Sequence, residues 1–310
     1  MMVRVSFAEP TRGEQKINFA ASTRGKQKIN FAESTRGKQK INFTKGHGTG
    51  NDFVVLPDPD GTLDLTPSMV TALCDRHRGI GADGVLRVVR SAKHPDAAAH
   101  AAETEWFMDY RNADGSIAEM CGNGVRVFTR YLIANGLGEP DMPIATRAGV
   151  VRAVVGPDTI SVRMPSPRVY AASTATVGSL TVAGVAVDCG NPHLVCPVPD
   201  VSGLDLRDPP GYDAGLFPAG VNVEFMAPGG AGLHVRMRVH ERGSGETLSC
   251  GSGALAVGAV ALRDAEPLSG EVTVDVPGGR LTVTRDGDDW WLAGPAVLVA
   301  TGEVDVAALG

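Results

Sequence analysis

The chain has 310 residues, 43% apolar and 21% charged, a composition that suits a soluble globular protein of one large domain or two ordinary ones. No apolar run nears the roughly 20 residues that cross a bilayer, and the amino terminus lacks a signal peptide's apolar core, so no membrane is expected and the chain is placed in the cytoplasm. The net charge of −6 divides into about +6 on residues 1–42 and about −12 on the rest, and an acidic body argues against nucleic acid as the main partner.

Residues 7–42 repeat with a period of 12: FAEPTRGEQKIN, FAASTRGKQKIN and FAESTRGKQKIN run directly into Phe43. One Phe and one Ile per unit bury too little surface to offset the entropy of ordering twelve residues, so 1–42 reads as a disordered repeat tail. A basic tether would carry the same charge, but no aromatic platform accompanies it. Ordered protein is expected from near Ile41. The stretch Lys45-Gly46-His47-Gly48-Thr49-Gly50-Asn51-Asp52-Phe53 then leads into a strand, Val54 to Leu56, ended by Pro57. Its glycines are spaced GxGxG and a strand follows, whereas a dinucleotide loop needs GxGxxG and a helix. Gly79 to Gly84 has the right spacing, but strand text, Val85 to Val89, follows it too. Between them, Thr66 to Arg76 reads as a helix with Thr66 as N-cap and Pro67 first. Residues 91–104 read as a loop insertion and Trp106 to Tyr110 as a strand.

Cys121-Gly122-Asn123-Gly124 follows a polar turn and opens an apolar helix that stops at Asn135-Gly136. Residues 144–235 are β-rich and punctuated by Gly and Pro. Val235, Met237 and Val239 then alternate with Arg236, Arg238 and His240, a half-buried strand. After it comes Cys250-Gly251-Ser252-Gly253, opening a second apolar helix. Val272 to Val276 and Leu281 to Thr284 flank Pro277-Gly278-Gly279 as a hairpin, and Leu292 to Ala300 supplies a final strand. Strand, polar turn, Cys-Gly-x-Gly and buried helix thus occur twice, 129 residues apart. This implies two related α+β halves whose helix starts face a common cleft.

Small residues behind each sulfur leave the first helical amides open, and those donors with the helix dipole favour a thiolate or a bound carboxylate. A helix N-terminus can lower a thiol pKa to roughly 3.5–7.5. One such cysteine would suit a nucleophile, with His193 and Glu241 as base and orienter, and two would suit a reversible disulfide. Proton transfer uses both sulfurs and the polar equipment around them: one removes an α-proton while the other delivers a proton to the opposite face. Pyridoxal phosphate would require a Schiff-base lysine, and outside the tail only Lys45 and Lys93 exist. The five cysteines form no CxxC pair, which argues against structural disulfides and a closed zinc site. Cys74, Cys189 and Cys196 read as packed thiols, and no metal is expected.

In order, GHGTGNDF, DYRNADGSIAEMCGNGVR, GNPH, GVNVEF and HERGSGETLSCGSG resemble the signature blocks of the diaminopimelate epimerase family. The resemblance implies conversion of LL-2,6-diaminopimelate to the meso form without a cofactor, for lysine and peptidoglycan synthesis. It implies an α+β fold of two similar halves, each a mixed β-sheet curled around a central helix, with the active site in the cleft between them. The halves would be 43–165, with 297–310 returning to it, and 166–296. Cys121 and Cys250 would be the acid/base pair. Gly122, Asn123, Gly251 and Ser252 would hold the reacting carboxylate through backbone amides, with Asn51 at the same end. Asn112, Asn191, Asn222 and Arg242 would read the distal carboxylate, and Glu241 the distal ammonium. His193 and Glu241 would tune the thiols. The partner would be this small molecule, and a homodimer is left open. Two departures stand out: Gly84 where many relatives carry Gln, and Ser252 for the commoner Thr. A proline or hydroxyproline racemase would share the cysteines without needing Arg242 and Glu241, and a non-catalytic amino-acid binding or redox-sensing protein would share the scaffold.

Overall fold

The computed structural model describes residues 40–265 and 269–309. Most of the repeat tail, 1–39, lies outside them, but its last three residues do not. Lys40, Ile41 and Asn42 pair with Asp305, Val304 and Glu303, and Ile41 packs on the cluster of Leu65, Val70 and Leu73. Those pairings place the tail's expected boundary at 42 inside a strand.

In chain order the elements are β1 (Lys40–Gly48), β2 (Asn51–Pro57), α1 (Pro67–Cys74), β3 (Gly84–Arg90), β4 (Trp106–Asn112), α2 (Gly122–Ala134), β5 (Asp141–Thr146), β6 (Gly149–Val155) and β7 (Ile160–Met164). Then come β8 (Arg168–Val177), β9 (Leu180–Asp188), β10 (Pro192–Pro197), a short β11 (Gly211–Tyr212), β12 (Asn222–Pro228), β13 (His234–Glu241) and a short β14 (Gly245–Thr247). The chain finishes with α3 (Gly251–Ala265), β15 (Gly270–Val276), β16 (Gly279–Asp286), β17 (Asp289–Gly294) and β18 (Val297–Asp305).

The duplication is written in the strand pairing. From β1 to β7, successive pairs run antiparallel, parallel, antiparallel, parallel, antiparallel, antiparallel. The series β9, β10, β12, β13, β15, β16, β17 repeats that pattern pair for pair. Each series gains an antiparallel strand at its start, β18 on β1 and β8 on β9, and the two join where β7 pairs with β17. Parallel neighbours need a crossover, and the second crossover in each series carries a helix: α2 between β4 and β5, α3 between β13 and β15.

Each helix is the core of its own series. α2 packs on β1, β2, β6 and β7, and α3 on β10, β12, β15 and β16. Val125, Val127, Phe128, Tyr131 and Leu132 are buried around α2, as Leu255, Val257, Val260 and Leu262 are around α3. Apolar residues on every face are what a helix enclosed by sheet requires. α2 ends as expected at Asn135 and Gly136, the glycine taking φ +66°.

Two sequence expectations are corrected. The single strand over 292–300 is two strands, because Pro295 has no N–H and the chain there leaves β16 and β7 for β1. Helix α1 starts under its Thr66 cap but ends at Cys74, not Arg76, since the Asp75 carboxylate accepts the N–H groups of His77 and Arg78. The 91–104 insertion holds two short 3₁₀ turns, Ser91–Lys93 and Pro95–His100. Cys74, Cys189 and Cys196 are buried. Among the described residues no helix is long and apolar enough to cross a membrane.

Candidate active site

Cys121 is the N-cap of α2, and its sulfur accepts the Gly124 N–H at 3.4 Å. Cys250 stands in the same relation to α3, accepting the Gly253 N–H at 3.4 Å. The two helix starts converge. A Cβ on Gly122 would lie 3.0 Å from Leu292 Cδ2 and one on Gly251 3.2 Å from that same atom. The Gly251 Cβ would also lie 3.4 Å from Asn123 Oδ1. As first residues of their helices, Gly122, Asn123, Gly251 and Ser252 have amides with no intrahelical acceptor.

Polar side chains fasten these starts together. Asn123 Nδ2 donates to Ser249 O at 3.1 Å and to Asn51 Oδ1 at 3.2 Å, and Asn51 Oδ1 also accepts from the Cys121 thiol at 3.7 Å. Thr49, in the turn after β1, shares a 2.7 Å hydrogen bond with Ser249 and accepts from Arg126 Nη2 at 3.2 Å. Asn112, at the end of β4, bonds Ser116 Oγ at 3.0 Å and lies opposite Gly84 in the β3–β4 ladder.

A second cluster forms where β10 and β12 begin and β13 ends. His193 shares a 2.7 Å hydrogen bond with Glu224 through Nδ1 and a 3.0 Å one with Asn191 through Nε2. Asn222 lies beside His193 in the parallel ladder, donates to Pro192 O at 3.1 Å and accepts the Arg242 N–H at 2.9 Å. Arg242 Nη1 donates to Ala219 O at 3.0 Å. Glu241 accepts from the Thr247 hydroxyl at 2.5 Å, and its carboxylate is among the groups that raise Cys250. Asn51, Cys121 and Asn123 therefore stand together, as do Cys250 and Glu241, and Asn191, His193, Asn222 and Arg242. The ring nitrogens of His193 go to Glu224 and Asn191, and neither bonds a sulfur.

Electrostatics overturn one expectation. The helix N-termini were expected to acidify the thiols, but burial outweighs them. Burial pushes Cys121 up to about 11, against the N–H of Gly124, and the nearby Glu241 carboxylate adds to the rise. Cys250 is pushed well above its ordinary value by burial, then by Glu241 and Glu224. Burial likewise raises Glu241 and Glu224, and lowers Arg126 to about 10. A thiolate in such a site is a stronger base than one in water.

Three residues escaped sequence reasoning. Glu224 is fully buried, and its Oε1 would lie 2.7 Å from a Cβ on Gly253. Its signal was a lone charge two residues beyond Asn222 in an apolar strand. Arg126 is fully buried, its guanidinium lying against Gly48 and Gly294, and its signal was a charge inside an apolar helix. Ser249 left no signal beyond its place before Cys250.

The duplicated α+β scaffold is one shared by solved structures of epimerases and related proteins. A hydroxyproline epimerase from Agrobacterium vitis superposes with a TM-score of 0.63 at 16% identity, covering 87% of this chain and 94% of that one. A PhzF-family phenazine biosynthesis protein from Bacillus anthracis gives 0.63 at 18%, covering 86% and 99%. At these identities the likeness is one of fold. Sequence similarity is closer elsewhere. The family profile described as diaminopimelate epimerase matches residues 43–169 and 185–306. Diaminopimelate epimerase of Streptomyces coelicolor is 52% identical over 277 residues, covering 86% of this chain and 96% of its own. That of Rhodococcus jostii is 49% identical over 282 residues, covering 84% and 96%. The chain belongs to the diaminopimelate epimerase family.

Proposed function

We propose that the chain converts LL-2,6-diaminopimelate to the meso form as a two-base epimerase that uses no cofactor, with Cys121 and Cys250 as the acid/base pair. The observation that carries this reading is the convergence of two equivalent helix starts, each led by a cysteine, on one leucine. One sulfur, as thiolate, takes the α-proton and becomes a thiol. The other thiol gives its proton to the opposite face of the carbanion and is left as thiolate. Reversal exchanges the roles. Raised proton affinity suits this work, because a desolvated thiolate must take hydrogen from a very weak carbon acid.

Gly122, Asn123, Gly251 and Ser252 would hold the reacting carboxylate, where preorganised amides stabilise the charge that develops on it. Asn51 lies beside Cys121 at that end. Asn112, Asn191, Asn222 and Arg242 would read the distal carboxylate, and Glu241 the distal ammonium. The charge of Glu241 raises both Cys250 and Cys121, which supports its tuning role. His193 would act through Glu224 and Asn191. Lys45 bonds Asp52 at 2.6 Å and Lys93 lies in a short 3₁₀ turn, and neither placement favours a Schiff base.

A division into 43–165 with 297–310, and 166–296, fits the return of β18 to β1 and the single β7–β17 seam. Placement in the cytoplasm and a small molecule as sole partner, without nucleic acid or membrane, rest on the acidic body and the substrate class, and a homodimer stays open.

The test is incubation with LL-diaminopimelate in D₂O. The expected result is meso product with deuterium at one α-carbon. Affinity without incorporation would mean a binding protein, and turnover of proline in preference to diaminopimelate would mean a racemase of the other class.

A further inference from the structure

One carboxylate outside the proposed acid/base machinery is aimed at it through a single amide. Asp83, just before β3, accepts from Asn51 Nδ2 at 2.8 Å. It is itself held from two sides. Arg76 Nη2 donates to its Oδ1 at 2.7 Å, and the Asp52 N–H donates to its Oδ2 at 3.1 Å. Arg76 also holds Asp52, at 2.8 and 3.1 Å, and Asp52 accepts from Lys45 at 2.6 Å and from the Asp83 N–H at 3.1 Å. The result is a braced block of charge with Asn51 at its edge.

That block fixes which way the Asn51 amide points. A carboxylate only accepts, so the atom facing Asp83 is the NH₂ group and the atom facing Cys121 is the oxygen. Asn123 gives the same answer independently. Its Nδ2 faces the Ser249 carbonyl at 3.1 Å, which also only accepts, so it donates to Asn51 Oδ1 at 3.2 Å. Cys121 therefore faces, at 3.7 Å, an oxygen that can receive a hydrogen bond but cannot receive a proton. A hydrogen bond of that kind favours the neutral thiol over the thiolate.

Cys250 is equipped differently. Its sulfur lies 3.6 Å from the Ser252 hydroxyl, which can turn its hydrogen toward a thiolate. The other titratable or charged groups that act on Cys121 are Glu241, Arg126 and Tyr110, and none of them orients the Asn51 amide.

We propose that Asp83 is a positioning residue which, by fixing the Asn51 amide, holds Cys121 toward its thiol form in the free enzyme. The proposal rests on the two-base reading. When Cys121 acts as the acid, its S–H bond breaks to protonate the carbanion formed by loss of the α-hydrogen to the opposite sulfur. Cys121 is left as thiolate against the Asn51 oxygen, and that contact favours its reprotonation.

The test measures iodoacetamide alkylation against pH, with the Cys121 and Cys250 peptides quantified separately by mass spectrometry. It compares wild type with Asp83→Ala, Asp83→Asn and Asp83→Glu. With Asp83→Ala the Asn51 amide can turn its NH₂ to the sulfur, and the Cys121 midpoint is expected to fall by about one pH unit, tenfold more thiolate at a given pH. The Cys250 midpoint should stay in place, and Asp83→Glu should restore Cys121. Asp83→Asn keeps the shape and an Arg76 contact, and its own NH₂ can draw the Asn51 oxygen away, so it should move Cys121 the same way even if the alanine variant does not fold. An unmoved Cys121 midpoint in a folded variant overturns the proposal, and so does an equal shift at both cysteines. Alkylation requires no turnover, so this result is separable from failure of the deuterium experiment, which would strike the epimerase reading instead.

Discussion

Gly84 stands where the family resemblance would set Gln, and the structure says what restoring that residue would do. A Cβ at Gly84 would lie 2.5 Å from Arg111 O and 2.8 Å from Tyr110 Cε2. The first neighbour is backbone in the β3–β4 ladder, and the second belongs to a ring packed edge-on against Phe53 at 5.8 Å. Neither yields cheaply. Reaching ordinary contact requires β4 to move by most of an ångström beside Asn112, which pairs with Gly84. Forced insertion of this kind costs about 1–3 kcal/mol. At about 2 °C per kcal/mol, the low end of the range and the one that suits a chain of this size, Gly84→Gln should lower the melting temperature by about 2–6 °C. Because Asn112 is displaced, KM for diaminopimelate should rise with it. Calorimetry with initial-rate kinetics decides. A variant that melts within a degree of its parent, with KM unchanged or improved, would show that β4 gives way freely and that Gly84 is no steric requirement.

Other expectations are simpler. Cys121→Ala and Cys250→Ala should each lower epimerisation by at least about 10²–10⁴-fold, the worth of a positioned proton transfer, with unaltered circular dichroism; full activity in either would refute the two-base assignment. Glu224→Ala should cost about 3 kcal/mol in urea unfolding, because it leaves the buried His193 without its partner, whereas Glu224→Gln keeps a hydrogen bond and should cost far less; equal losses would show that the pair has no such role. Burial raises Asp52, but the hydrogen bonds from Arg76 and Lys45 outweigh it and hold the carboxyl at about 2. A depressed carboxylate stabilises the fold above its unfolded pKa and loses that contribution as pH falls through the folded one. Asp52 should therefore supply about 2 kcal/mol at pH 6 that disappears between about pH 4 and 2. Asp52→Asn should flatten that part of the stability profile, and an unchanged acid limb would count against the assignment.

What was legible in the sequence was local. Thr66-Pro67 wrote the start of α1, Asn135-Gly136 the end of α2, and the two Cys-Gly-x-Gly segments wrote both helix starts, because caps and turns need only neighbouring residues. What stayed hidden depends on distant pairing. Glu224 meets His193 only because β12 lies parallel to β10 in one register, and Thr49 meets Ser249 across 200 residues. The thiol pKa values were misread for a related reason. The helix dipole can be inferred from a glycine pattern, but the burial that overrides it comes from the whole assembled core. The break at Pro295 was printed in the sequence, yet the apolar residues on both sides concealed it.

Each of the two cysteine sulfurs also finishes a helix, since the Gly124 and Gly253 amides bond to them. In the two-base exchange proposed above, negative charge leaves the head of one helix and arrives at the head of the other. Charge at such a position interacts with the aligned peptide dipoles by about 0.3–1 kcal/mol, more where it is partly buried. The scaffold thus works as a two-pan balance whose pans are nearly alike. The helix starts by themselves support whichever sulfur is ionised, so any bias between the two must come from the side chains around them.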